Sequence, residues 1–227
     1  MIHATHITKI YGKKKNEFRA LDDVSFEIPD GASVAVIGKS GSGKSTLMHV
    51  VSGLDRPESG EIVIDGDNVL AFKQKEVDKF RSQKMSFIFQ SFFVQGNESC
   101  YNNVSLPLEI ASVPNKQRRA KIEKALAAVK LLDKKRSRAR DLSGGQKQRL
   151  AIARAIVSEP SILFADEPTG NLDSVTGAVV ERLLFAYNKQ QGATLIIVTH
   201  DVDLAKKCDM QIMIKDGKIQ RILGGKS

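Results

Sequence analysis

The sequence predicts an α/β fold: a mainly parallel sheet covered by helices, with a helical lobe inserted into it. Three observations point there. Short strand-like runs at 33–37, 161–164 and 194–198 alternate with segments of helical pattern. A glycine-rich loop joins the first of these runs directly to a helical pattern at 44–52. From about 91 to 140 strand signals vanish, and Ile122, Leu126, Val129 and Leu132 recur at helical spacing among lysines and glutamates.

Taken in order, residues 2–8 and 24–28 read as strands, the second closed by the turn Pro29-Asp30-Gly31. The run 33–37 has the make-up of a buried strand, and the helix after the glycine-rich loop stops at Gly53. Residues 61–64 form a strand closed by Asp65-Gly66, and 85–89 lead as a strand into Gln90. Past the insertion, a helix follows Ser143 and a strand occupies 161–164. A further helix runs from Ser174 to Gln191 with Gly192 as its stop, before the strand at 194–198.

Composition excludes several classes. With 227 residues, 41% hydrophobic and 27% charged, the chain suits one large domain that folds without staples. Its two cysteines, Cys100 and Cys208, stand at no motif spacing and read as reduced thiols. His3, His6 and His49 have no partners at ligand spacing. No apolar run approaches the ~20 residues that span a bilayer, and the alternation at 1–8 is not a secretory leader. The chain is therefore expected in the cytosol unless a partner holds it at a membrane. The net charge of +9 is dispersed over 13–15, 73–84, 116–124 and 134–140. No aromatic residues interleave these runs, so nucleic acid is not an expected partner; a face beside anionic lipid suits them as well.

Gly38-Lys39-Ser40-Gly41-Ser42-Gly43-Lys44-Ser45 satisfies G-x-x-x-x-G-K-[ST] between a buried strand and a helix. Glycines at Gly38, Gly41 and Gly43 let backbone N–H groups turn inward around phosphate oxygens, and the helix N-terminus adds partial positive charge. Lys44 is expected on the β- and γ-phosphates, the Ser45 hydroxyl on Mg²⁺, and Thr46 on the α-phosphate.

The apolar run 162–165 ends in adjacent carboxylates, Asp166 and Glu167. A hard cation wants oxygen ligands, which suits Asp166; Glu167 is then left to orient or deprotonate an attacking water.

Leu142-Ser143-Gly144-Gly145-Gln146, with Gln148-Arg149 and the helix 151–155 behind it, resembles the signature motif of ABC-type nucleotide-binding domains. The resemblance covers nearly the whole chain. Gln90 resembles the Q-loop glutamine, Asn171-Leu172-Asp173 the D-loop, His200 the switch histidine, and Tyr11 the aromatic that stacks on adenine. It implies a P-loop NTPase core with an antiparallel β subdomain and an inserted α-helical subdomain. The whole of 1–227 is then one domain, with 1–90 and 141–227 as the core and 91–140 as the helical subdomain.

The resemblance also implies ATP and Mg²⁺ as ligands and a head-to-tail homodimer. Each nucleotide would lie between the phosphate loop of one subunit and Ser143, Gly144, Gly145 and Gln146 of the other. Glu167 is the implied base, His200 the γ-phosphate and water-positioning group, Gln90 a Mg²⁺ and water sensor, and Asp173 the link between sites.

Gly170-Asn171-Leu172-Asp173-Ser174, with Thr176-Gly177, Asn103-Val104 and Leu106-Pro107-Leu108, is similar to the subgroup serving lipoprotein release, macrolide export and peptide-antibiotic resistance. That subgroup implies a separately encoded membrane permease and a place at the cytoplasmic face of the cell membrane. The related cell-division ATPase supplies an alternative, an actuator that moves no substrate. Relatives usually carry an apolar Leu-Pro stretch after the Q-loop, where this chain has Val94-Gln95-Gly96-Asn97-Glu98. A DNA-organising ABC ATPase would need a long coiled coil between Ser45 and Leu142, and no heptad pattern is sustained there.

Overall fold

A computed structural model describes residues 1–13 and 16–225; Lys14 and Lys15 of the basic run at 13–15 lie outside the described residues. The chain divides into two compact units, Met1–Arg81 with the chain from Thr194 onward, and Ser82–Ala193.

In the first unit, β1 (Ile2–Tyr11) pairs antiparallel with β2 (Phe18–Ile28) on one side and β4 (Ser59–Ile64) on the other, with the short β5 (Asp67–Asn68) at the edge. Asp65 and Gly66 join β4 to β5 with φ of 54° and 90°, the twist that a tight hairpin demands. Both β1 and β2 run further than their apolar alternation predicts. In β1 the alternation is masked by Lys9, a charged residue only 7% exposed on the buried side of the strand, and by a register shift beside it.

The second sheet segment of this unit is built on β3 (Ser33–Ile37), buried along its whole length. β3 lies parallel to β8 (Thr194–Thr199) and to β9 (Met210–Lys215), and β10 (Lys218–Gly224) returns antiparallel to β9. An all-apolar strand flanked by parallel neighbours is what a run such as Val34-Ala35-Val36-Ile37 can sustain. α1 (Lys44–Val51) follows the glycine-rich loop and ends at Ser52, and Gly53 then takes φ 67°. α2 (Gln74–Lys84) begins in this unit, and α7 (Val202–Lys206) packs on β3 through Ala205 against Ala35 and Ile37.

In the second unit, β6 (Met85–Ile88) and β7 (Ile162–Asp166) pair in parallel. The rest is helical: α3 (Cys100–Ile110), α4 (Asn115–Ala128), α5 (Gly144–Ile156) and α6 (Ser174–Gln191). α3, α4 and α5 pack on one another around Val104, Leu108, Ile122, Leu126 and Leu150. The expected helical series ends early. Val129 caps α4, Lys130 turns to φ 56°, and Leu132 falls on a 3-10 turn, 40% exposed, while Leu131 is buried in its place. Between 91 and 140 the described backbone makes only a single strand-like bridge, Ser99 to Arg138. Cys100 and Cys208 carry free thiols, and no described helix is long and apolar enough to cross a membrane.

Candidate functional site

The glycine-rich loop is pinched between backbone segments. Gly43 caps α1 with φ 104° and ψ 3°, and a Cβ there would stand 2.4 Å from the carbonyl oxygen of Ala20 on β2. A Cβ on Gly38 would stand 2.2 Å from the carbonyl oxygen of Ile214 on β9. Neither position admits a side chain: Gly38 is required by contact alone, and Gly43 by contact as well as by its positive φ. The β9–β10 turn braces the loop from outside: Gly217 N–H donates to the Ser42 carbonyl at 3.0 Å. Lys44 Nζ donates to the carbonyls of Gly38 at 2.8 Å and Lys39 at 2.9 Å, which folds the ammonium back over the loop. Ser42 is 5% exposed, and its hydroxyl finds no protein partner. No side chain caps α1, and no acid lies in its first turn. A closed glycine cradle, a helix N-terminus without competing carboxylates and a lysine inside it fit a polyphosphate.

Tyr11 sits at the end of β1 beside this cradle. Its hydroxyl donates to Asp55 Oδ2 at 2.6 Å and shares a hydrogen bond with the Thr46 side chain, in the first turn of α1. Lys9 Nζ stands over the ring, 5.0 Å from its centre, and donates to Asp55 Oδ1 at 2.9 Å and to the Arg56 carbonyl at 2.6 Å. Burial works against the Lys9 charge, but the hydrogen bond to Asp55 and the charges of Asp55 and Glu58 outweigh it and raise its pKa. Burial and the Asp55 carboxylate together raise the Tyr11 pKa. Asp55 resists its own burial through the Tyr11 and Lys9 hydrogen bonds, which hold it below the usual carboxylate range.

His200 belongs to the same unit. Ile37 pairs with Thr199 across β3 and β8, so Gly38 and His200 leave adjacent strand ends at one level. Thr199 is buried, and its hydroxyl accepts from the Asp201 N–H at 3.0 Å. Asp201 in turn caps α7, accepting from Asp203 and Leu204 N–H groups, and His200 is left exposed between these anchors.

The second unit gathers the remaining candidates. Ile88 pairs with Ala165, which brings Gln90 and the Asp166–Glu167 pair off neighbouring strand ends. Phe87 and Phe164 stack across the two strands, 5.3 Å apart and 11° from parallel. Asp166 closes β7, and Glu167 takes φ 45°, a left-handed conformation rare for glutamate. Gln90 and Asn171 bond reciprocally: Gln90 Nε2 donates to Asn171 Oδ1 at 3.3 Å, and Asn171 Nδ2 to the Gln90 carbonyl at 3.2 Å.

Ser143 caps α5 in a complete capping box: its hydroxyl oxygen accepts from Gln146 N–H, and its own N–H donates to Gln146 Oε1. Gly145 lies against Thr176, where a Cβ would stand 2.3 Å from the methyl carbon. Asp173 caps α6 and takes both the backbone N–H and the hydroxyl of Thr176, bonds that hold its carboxyl below the usual range.

Several residues that brace these segments carry no sequence signal of their own. Lys9 and Asp55 lie 46 positions apart, and neither stands in a motif. Arg154 donates to the carbonyls of Phe93 at 2.6 Å and Phe92 at 3.3 Å, securing the chain after Gln90. The polar segment 94–98 is fastened by Asn103, which is 1% exposed: it accepts the Gln95 N–H at 2.7 Å and donates to the Gln95 and Ser99 carbonyls. Its Asn-Val motif was legible, but the bond it makes was not.

Comparison with known proteins identifies the family. The family model described as "ABC transporter" matches residues 21–170. The chain is 39% identical to the lipoprotein-releasing system ATP-binding protein LolD of Syntrophus aciditrophicus over 219 residues, covering 96% of this chain and 98% of that one. It is 38% identical to the bacitracin export ATP-binding protein BceA of Halalkalibacterium halodurans, covering 96% and 87%. Among solved structures, the dimeric post-hydrolysis state of the ATP-binding cassette MJ0796 bound to ADP and Pi matches over all of both chains, with a TM-score of 0.90 and 35% identity. With this phosphate cradle and this capped Ser-Gly-Gly-Gln helix, the chain belongs to the ABC transporter family, as one of its ATP-binding, ATP-hydrolysing subunits.

Proposed function

We propose that the chain energises a separately encoded membrane-spanning partner at the cytoplasmic face of the cell membrane, in the manner of the lipoprotein-release and antibiotic-export relatives. It works as a head-to-tail dimer. One observation carries the dimer: the chain has two helix N-termini fit for phosphate, α1 and α5, and neither has an acid in its first turn. In each site the loop of one copy, through Gly38, Ser40, Gly41, Ser42 and Gly43, takes the phosphates. Ser143, Gly144, Gly145 and Gln146 of the other copy close on the γ-phosphate. The Ser143 hydroxyl oxygen accepts from its own helix, which leaves its proton to donate outward. The dimeric, nucleotide-bound MJ0796 cassette supports this reading.

Lys44 neutralises the β- and γ-phosphates, Thr46 contacts the α-phosphate and Tyr11 stacks on the base. The Ser45 hydroxyl, the Asp166 carboxylate and the Gln90 side-chain oxygen are hard oxygen donors that suit Mg²⁺, which spreads the negative charge of the phosphates. Glu167 takes the proton of the attacking water, His200 holds the γ-phosphate and water in line, and Asp173 couples one site to the other. Catalysis is positioning and charge stabilisation, with no covalent enzyme intermediate.

The experiment is Glu167→Gln. It removes the base with little change in shape, so turnover is expected to fall at least about 100-fold while ATP drives a stable dimer on size-exclusion chromatography. Normal turnover would refute the role of Glu167, and a variant monomeric with ATP would refute the shared site. Identification of the membrane chain that co-purifies with the subunit tests the transporter assignment.

A further inference from the structure

Tyr11 is restrained on more sides than a surface tyrosine needs. A tyrosine has two side-chain torsions, and here both are fixed before any ligand arrives. The hydroxyl is held by Asp55 Oδ2 at 2.6 Å, and the Thr46 side chain bonds to the same oxygen. The Lys9 ammonium covers one ring face at 5.0 Å. Phe18, its cross-strand partner, leans on the ring at 5.7 Å with a 40° tilt.

Asp55 is the hub. One carboxylate oxygen takes Tyr11, and the other takes Lys9 and the Arg56 N–H. Asp55 is itself hung on α1, since its N–H donates to the His49 carbonyl at 3.1 Å. The ring is therefore tied twice to the helix that starts at Lys44, at Thr46 and at His49. Burying a lysine beside Asp55 is a costly way to hold a hairpin end, because the ammonium gives up most of its water. What the arrangement fixes is the distance and tilt of one aromatic plane relative to the phosphate cradle.

We propose that Asp55, with Lys9, is a positioning residue for the nucleotide base: it presets the Tyr11 ring beside the phosphate loop, so the ring meets the base at no ordering cost. This rests on the reading that Tyr11 stacks on the base. Preset stacking strengthens ligands that have a base and does nothing for bare phosphates.

That difference supplies the test. Affinities of the intact chain for ADP and for inorganic pyrophosphate are measured by calorimetry, beside a melting curve for each variant. Tyr11→Ala is expected to weaken ADP about tenfold, and Asp55→Ala about fivefold, with pyrophosphate unchanged for both. Asp55→Asn, which keeps an acceptor for the hydroxyl, is expected to recover part of the loss. Tyr11→Phe removes only the anchored hydroxyl and is expected to resemble Asp55→Ala, the two combined costing no more than either alone. It also serves as the readout if Asp55→Ala fails to fold. Equal weakening of ADP and pyrophosphate by Asp55→Ala, or no effect on either, overturns the positioning role. A selective effect of Tyr11→Ala with a silent Asp55→Ala and Tyr11→Phe overturns the positioning alone and leaves stacking in place. ADP affinity unchanged in Tyr11→Ala overturns the stacking itself, and the proposal with it.

Discussion

The side-chain amide of Gln148 donates to the carbonyl oxygen of Pro168 across 2.7 Å, with both residues buried. Pro168 directly follows Glu167, so this bond ties α5, the helix that Ser143 caps, to the turn presenting the proposed base. Gln148→Leu removes this donor to the carbonyl together with Gln148 Oε1, a buried acceptor that finds no protein partner. The two effects offset in part, and we expect a loss near 1 kcal/mol in denaturant unfolding. Turnover is expected to fall further than stability, because the turn loses its register. Equal, small changes in both would make the bond merely structural.

Gly145 and Thr176 make a second contact within the same unit. A Cβ at 145 would meet the Thr176 methyl at 2.3 Å, while the next nearest atoms lie at 3.5 Å. Gly145→Ala is therefore expected to cost about 1–3 kcal/mol by overpacking. Thr176→Ser removes the methyl and keeps the hydroxyl that Asp173 accepts from. The double variant should recover most of the loss, a coupling that chemical denaturation measures directly.

The acid side of the stability profile reports on Asp55. Its folded pKa lies below the ordinary 3.8 because the Tyr11 and Lys9 hydrogen bonds overcome burial. A depressed carboxylate contributes stability above its unfolded pKa and loses it as pH falls through the folded one. Melting temperature is thus expected to fall less steeply in Asp55→Asn than in the parent as pH drops from about 5 to below 3.8. Parallel profiles would mean that the pair with Lys9 is broken in solution.

The phosphate loop, the acidic pair and the Ser-Gly-Gly-Gln helix were legible because each chemistry needs fixed residue types within a few consecutive positions. β3, α1, α5 and α6 were legible for the related reason that caps and apolar runs are local. Long-range pairs gave no such trace. Lys9 reads as the polar end of a strand until Asp55 is folded against it. α2 buries only Val77, so it shows almost no apolar stripe to read. β9 was different: Met210, Ile212 and Ile214 alternate inward and the strand stops at Asp216-Gly217, a hairpin signal that was present and passed over. Leu132 misled because a 3.6 period continues on paper after the backbone has left the helix at Lys130.

Glu167 holds a φ of 45°, a region that glycine or asparagine enters with ease and a longer side chain does not. The strain lies with the Cβ, so only a change to glycine, or in part to asparagine, would relax the backbone at this point. With Glu167 as the proposed base, robustness and turnover pull in opposite directions at one Cα, since the residue that eases the chain cannot take a proton.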